Sequence, residues 1–328
     1  MKVLLASPSH EDSFAENVAL ALKAMGHEVL SPILETHGGY YSFHRRLLRT
    51  LGEQVLGDRP TAEEKRILEA ARRFRPQLVL SLTRGLHPEI LESLGHNLGA
   101  RRVIWWGDTP GNNVRWGMLD SGWDLLLVKD AHAVSKLRLA GRNAHHLHEA
   151  MNPLWHRPVA EQASERVAVV GNSYAFRQVV CVRLLAHGVD LALYGPKPPA
   201  WSHPDYRNAH SGEYVSRERK SQVFGEALGC LNTFSLTEGD SLNCRAFEVA
   251  GAGGLQLIES RPAVQDCFEP GVEVLTFSTF EELLEHVARA RKDPAGMKVI
   301  RAAGARRALA EHTYQHRLRR LFELLGNA

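Results

Sequence analysis

The sequence predicts an α/β protein built from two Rossmann-like domains, and three observations carry that prediction. Short apolar runs of strand length alternate with segments of helical periodicity, once from Lys2 to Lys129 and again from Arg166 to the C-terminus. Between the two series, Asn152 to Arg166 carries Pro153 and Pro158 in a polar spacer that fits neither period. At 328 residues the chain exceeds what one core usually supports. The expected organisation is an N-terminal domain over 1–152, a linker over 153–165, a second domain over 166–305 and a terminal helix over 306–328.

In the first series, Lys2 to Ala6 reads as a buried strand, Phe14 to Met25 as a helix stopped by Gly26, and Glu28 to Leu30 as the return to the sheet. Thr61 with Glu64 three residues on spells a capping box for a helix running to about Phe74. Leu78 to Leu82 is a strand, Pro88 to Leu94 a short helix, Arg102 to Trp106 and Leu125 to Lys129 further strands. This βαβ succession implies a parallel sheet covered by helices. The second series gives strands at 166–170, 190–194, 230–233, 255–259 and 274–277, with helices at 176–187, 216–228, 245–252 and 280–291 and one long helix closing the chain. Apolar Leu318, Leu321, Phe322 and Leu325 at helical spacing predict that this last helix, from about Ala303 to Leu325, docks on the N-terminal domain.

Composition narrows the function classes. No apolar run approaches a membrane span and no secretory pattern precedes the first strand, which predicts a cytoplasmic protein. Cys181, Cys230, Cys244 and Cys267 lack metal or redox spacing and read as reduced, buried thiols. The net charge of +3 gives no case for nucleic acid. Arginine clusters at His44-Arg45-Arg46 with Arg49, at Arg72-Arg73 with Arg75, and at Arg317 with Arg319-Arg320 read as solvated helix faces, or alternatively as a peripheral contact with an anionic membrane. Neither domain carries G-x-G-x-x-G, which argues against a dinucleotide dehydrogenase.

The most informative segment runs from Glu238 to Gly254, E-G-D-S-L-N-C-R-A-F-E-V-A-G-A-G-G, and leads into the apolar Leu255 to Ile258. A loop containing Asp240 and Asn243 passes into a helix carrying Arg245, Phe247 and Glu248. Helix N-terminal amides and an arginine can hold a diphosphate, and a carboxylate one turn on can accept from two vicinal hydroxyls, so the segment predicts a nucleotide site. Arg245 is equally placed for an intrahelical ion pair with Glu248. Gly251, Gly253 and Gly254 can serve close helix-to-strand packing instead of a ligand.

The order L-G-C-L-N-T-F-S from Leu228, the Asp/Asn loop, R-x-F-E, A-G-A-G-G and Phe268-x-x-Gly271-x-Glu273 resembles the nucleotide-sugar domain of the CgeB-type family of spore-maturation glycosyltransferases. The ending from His312 to Arg317 is similar to that family's closing helix. In the first half the resemblance rests on Trp105 to Pro110 and on Gly122-Trp123-Asp124 through Pro158. It implies the GT-B architecture, two Rossmann-like domains facing across a cleft with acceptor and donor between them, and a nucleotide-diphospho-sugar donor, most often UDP-linked. It also implies that Glu248 binds the donor ribose, with Arg245 on the diphosphate and Tyr214 in the segment that holds the base. The retaining pattern separates its two glutamates by seven residues, whereas nine stand between Glu238 and Glu248. Glu238 and Asp240 are assigned to the donor sugar despite that departure.

Further candidates follow from position. The turn of Gly171 and Asn172 precedes a helix containing Arg177; it can cradle a phosphate or simply cap the helix. In the N-terminal half, Asp108 and His10 each follow a predicted strand end and are candidates for the base that takes an acceptor proton, or for N-caps. The neighbouring tryptophans can stack on a sugar or pack in the core. His145-His146-x-His148 invites a metal reading, but alternation along a strand separates His146 from the others and no Asp or Cys partner is spaced nearby. His312 and His316 lack the intervening glutamate of a zincin. No metal and no cofactor are expected, the acceptor being a glycan, protein or small molecule. The competing readings are a nucleotide-sugar epimerase on the same scaffold and a non-catalytic nucleotide-sugar-binding protein of a surface-assembly complex.

Overall fold

Two parallel sheets organise the chain. The computed structural model describes residues 1–33, 59–109, 117–120 and 122–326. They divide into two units, Met1–Leu147 with Leu318–Ala328, and His148–Arg317. Among the described residues no helix is long and apolar enough to cross a membrane.

The N-terminal unit runs β1 (Lys2–Leu5), α1 (Phe14–Ala24), β2 (Glu28–Leu30), α2 (Ala62–Phe74), β3 (Leu78–Leu82), α3 (Pro88–Glu92), β4 (Arg101–Trp106), β5 (Leu125–Val128), α4 (Ala131–Leu139) and β6 (Ala144–His146). Its sheet order is β2-β1-β3-β4-β5-β6, all parallel. β3 and β5 are buried at every position, as strands covered on both faces must be. The box at the start of α2 forms, and Glu64 also accepts the His87 N–H at 2.8 Å, so one carboxylate caps α2 and anchors the start of α3. After α3 the chain widens into a π turn at Ser93–Asn97. There a Cβ on Gly95 would strike the Arg102 guanidinium, which pairs with Asp124 at 2.8 Å. Helix α4 escapes the sequence reading because it buries only Val134 and Leu137; Asp130 caps it.

The C-terminal unit runs β7 (Val167–Val170), α5 (Ala175–Ala186), β8 (Leu191–Tyr194), α6 (Pro204–Asn208), α7 (Arg217–Glu226), β9 (Gly229–Asn232), α8 (Cys244–Gly251), β10 (Gln256–Glu259), α9 (Pro262–Cys267), β11 (Leu275–Phe277), α10 (Phe280–Lys292) and α11 (Pro294–Glu311), followed by α12 (Tyr314–Gly326). The order β11-β10-β9-β7-β8 is again parallel, so the strand order reverses between β7 and β9. In open α/β sheets that switch point, beyond the carboxyl ends of the strands, is where ligands bind.

The fold class is thus two Rossmann-like α/β units, as expected, while two boundaries are corrected. The expected linker at 153–165 belongs to the C-terminal unit. Asn152 and His156 are buried there, and Ser221 of α7 donates to the Trp155 carbonyl at 2.7 Å. The single long closing helix is two helices. The Met151 amide donates to the His312 carbonyl and the Tyr314 amide to the Met151 carbonyl, a bridge that a continuous helix would forbid. Leu318 onward groups with the N-terminal unit, where Phe322 meets His27 at 5.0 Å between ring centroids and Arg101 donates to the Leu325 carbonyl.

The arginine clusters separate. The His44 to Arg49 cluster lies outside the described residues. Arg72, Arg73, Arg75, Arg319 and Arg320 are exposed. Arg317 instead turns inward, donating to the Glu149 carbonyl and to His312 and lying over the Phe247 ring, so it belongs to no surface patch.

Burial, reinforced by the Arg317 charge, pushes the His312 ring down to about 4 from an ordinary 6.5. Its Nε2–H donates to the Cys267 carbonyl at 2.8 Å, and its Nδ1 accepts from Arg317. Because the folded value lies below the unfolded one, the stability carried by the neutral ring is complete above about pH 6.5 and is lost as pH falls toward 4. Urea titrations between pH 7 and pH 4 should therefore show His312→Gln losing less stability than the native chain, the difference being ~3 kcal/mol.

Candidate functional site

The carboxyl ends of β7 and β9 bring together Gly171, Asn172, Arg177, Asn232, Thr233 and Arg245. Arg177 lies on the first turn of α5 and is 1% exposed. Its guanidinium donates to the Asn172 carbonyl at 2.7 Å, to the Tyr174 hydroxyl at 2.8 Å and to the Thr233 carbonyl at 3.3 Å. Tyr174 also donates to the Thr233 carbonyl. Burial first, and the neighbouring Arg245 charge second, push Arg177 down to about 10. A guanidinium remains protonated there at neutral pH, so the charge is real and poorly solvated.

Arg245, on the first turn of α8, donates to the Asn232 side-chain oxygen at 3.1 Å. Asn232 and Asn243 exchange amide hydrogen bonds at 3.1 and 3.0 Å, and Asn243 caps α8 by accepting from Ala246 N–H. One strand-end asparagine therefore orients both the helix start and its arginine. Gly171 has φ +115°, and a Cβ there would collide with Arg245 Nη2 and come within 3.5 Å of Arg177 Nη1. Both guanidiniums thus reach the same bare stretch of backbone. Among the described residues their hydrogen-bond partners are all neutral oxygens, so two cations converge with no carboxylate between them.

Glu248, one turn further on, is 5% exposed and points elsewhere: its Oε1 pairs with Lys220 of α7 at 2.9 Å and lies 3.7 Å from His156 Nε2. The structure therefore favours Lys220 over Arg245 as its ionic partner, and the intrahelical pair allowed by the spacing is not made. Phe247 between them is fully buried against Phe268 and His312.

The other sequence candidates divide. Tyr214 is half-exposed on the turn before α7, next to Glu213, whose carbonyl accepts from Gly195 N–H; Gly195 in turn packs on Gly171. Asp240 accepts the Ala263 amide at 2.9 Å and so caps α9, and Glu238 accepts from Ser241 at 3.4 Å. Gly251 and Gly254 take the packing role left open from the sequence, approaching the His156 and Phe224 carbonyls respectively.

In the N-terminal unit Asp108 is exposed beyond β4 and accepts from the Thr109 amide at 2.7 Å. His10 lies beyond β1 with Nδ1 donating to the Glu11 carbonyl, which leaves Nε2 as the acceptor nitrogen of the neutral ring. Trp105 and Trp106 are core residues, their indole N–H groups donating to the Leu147 and Thr109 carbonyls. The rings of His145 and His146 engage Asn143 and the Lys129 carbonyl, respectively, while His148 packs against Phe247. His316 accepts the Thr313 amide, closing a cap on α12.

The two parallel-sheet Rossmann-like domains have the GT-B fold, and the family match makes the chain a glycosyltransferase. The chain belongs to the glycosyl transferase-like family, whose sequence profile matches residues 154–323, just over half of it. No curated protein matches the chain. Its fold is similar to sucrose-phosphate synthase from Thermosynechococcus elongatus, at 14% identity and TM-score 0.66, covering 100% of this chain and 98% of that one. It is also similar to Anabaena HepE in complex with UDP-glucose, at 12% identity and TM-score 0.65 over 100% of both chains. T4 phage BGT with UDP-glucose shares the fold at 10% identity and TM-score 0.59, covering 98% of this chain and 99% of that one.

Gly171→Ala should cost stability from two sources, backbone strain at a positive φ of about 1–2 kcal/mol and collision with Arg245. Chemical denaturation of Gly171→Ala, Arg245→Ala and the double variant separates them. In the Arg245→Ala background the glycine substitution should cost only the backbone share.

Proposed function

We propose that this glycosyltransferase moves a sugar from a UDP-sugar to a hydroxyl acceptor. The observation that carries the reading is the convergence of Arg177 and Arg245 on Gly171 with only neutral oxygens as partners. Two like charges held together are at their most stable with an anion between them, and a nucleoside diphosphate supplies one. The CgeB-type resemblance of the R-x-F-E segment, which contains Arg245, supports the reading, as do the UDP and UDP-glucose complexes of structural relatives.

In this proposal Arg245, the Gly171–Asn172 turn and the first amides of α8 hold the diphosphate. Arg177 sets the turn from beneath and adds its field. Glu248 accepts from the ribose hydroxyls, and the Tyr214 segment meets the base. Glu238 and Asp240 hold the loop that faces the donor sugar. The bond from the anomeric carbon to the diphosphate breaks as the acceptor oxygen bonds to that carbon. The acceptor proton passes to Asp108, with His10 as the rival base. Because fixed guanidiniums stabilise the departing diphosphate, a divalent ion is dispensable to this chemistry. EDTA should leave turnover unchanged.

Calorimetric titration and initial rates test the assignments separately. Arg245→Ala should weaken UDP binding by about 10- to 100-fold, the worth of a hydrogen bond to a charged group. Asp108→Asn should keep UDP affinity and lose transfer by about 10²- to 10⁴-fold. Loss of turnover in His10→Ala with retention in Asp108→Asn moves the base to the first loop. Unchanged UDP affinity in Arg245→Ala overturns the donor site.

A further inference from the structure

We propose that Lys220 is a positioning residue for the donor nucleoside, holding the Glu248 carboxylate in the one orientation that meets the ribose hydroxyls. The inference rests on the donor-site reading above and adds a residue that the R-x-F-E segment does not contain.

Glu248 is gripped from a second helix and a turn. Lys220 Nζ of α7 contacts Oε1 at 2.9 Å with both side chains buried, and His156 Nε2 lies 3.7 Å from the same oxygen. His156 Nδ1 accepts the Asn152 amide at 3.1 Å, so the neutral ring carries its proton on Nε2, facing the carboxylate. Both contacts use Oε1 and leave Oε2 outside them. Ser221, adjacent to Lys220, donates to the Trp155 carbonyl at 2.7 Å, locking α7 to the turn that presents His156. Burial and the nearby Glu248 charge push the Cys244 thiol well up, with Lys220 and Arg245 opposing them.

A carboxylate this enclosed needs a compensating cation, and losing one partner of a buried pair leaves the other uncompensated. The lysine that compensates Glu248 also sets its rotation. A ligand hydroxyl pair requires a fixed acceptor geometry, because a carboxylate free to turn gives up orientation on binding. In this proposal Lys220 acts on the donor through Glu248.

The test uses UDP and 2′-deoxyuridine 5′-diphosphate as probes on the full chain, with affinities from calorimetry. The native protein should prefer the ribonucleotide by roughly tenfold or more. Lys220→Met should abolish that preference while leaving affinity for the deoxy compound within about twofold, and Lys220→Arg should restore part of it. Adding Lys220→Met to Glu248→Ala should change the preference no further. If Lys220→Met does not fold, Lys220→Gln, which keeps a hydrogen-bond donor without the charge, is read the same way. A preference lost in Glu248→Ala but kept in both lysine variants overturns the positioning role and leaves the ribose assignment standing. A preference kept in Glu248→Ala overturns the ribose assignment, and the proposal with it.

Discussion

The C-terminal unit depends on two guanidiniums converging over a residue without a side chain. Like charges repel, and a buried arginine pays for lost hydration, so the arrangement persists only because fixed neutral oxygens solvate each cation. For Arg177 these are the Asn172 and Thr233 carbonyls and the Tyr174 hydroxyl; for Arg245 it is the Asn232 amide. Asn232 ends β9, Thr233 follows it, and Asn172 follows β7, so the parallel pairing of β7 with β9 sets the positions of all three. Gly195, beyond β8, closes on the Gly171 carbonyl from the other side at φ +129°. The cations are held by the last residue of β9 and by the short segments that leave β7 and β9, which the sheet brings side by side.

Much of the fold was legible because parallel sheets write themselves as short apolar runs separated by periodic helices. Strands such as Glu28–Leu30 and Leu78–Leu82, and the box at Thr61, emerge at their expected places. The misses fall where local pattern is silent or misleading. Helices α6 and α9 have five and six residues with proline in the first turn, too short to show a period. The break between α11 and α12 comes from a backbone bridge to Met151, more than 150 residues away in sequence, which no local pattern announces. The Pro-rich stretch at 153–165 reads as a linker from composition, although buried Trp155 and His156 make it part of the domain.

The site was legible in its residue types and less so in its partners. Arg245, Glu248 and Asn243 stand out in the Glu238 to Gly254 segment, and Gly171 in the turn that follows β7. Their pairing does not, since helical spacing offers Arg245 and Glu248 to each other and only tertiary contacts decide. Asn232 lay inside an apolar strand, where a polar residue at the carboxyl end of a switch-point strand was the available signal. Lys220 carried none: in R-E-R-K it is one charge among several on a polar helix.

The R-x-F-E segment gains its meaning from that division of partners. Successive residues on α8 point about 100° apart, so one short helix serves three surroundings: Arg245 the ends of β7 and β9, Phe247 the core, and Glu248 helix α7. Rotation of α8 would disturb all three together. The helix is kept from rotating by the glycines that follow the motif. At Gly251 the bare backbone admits the Met151 side chain and the His156 carbonyl, and at Gly254 it admits the Phe224 carbonyl of α7. Those approaches carry the His156 turn and α7 against Glu248. The glycines that follow R-x-F-E therefore serve close packing in the fold, bringing the His156 turn and α7 up to the Glu248 carboxylate.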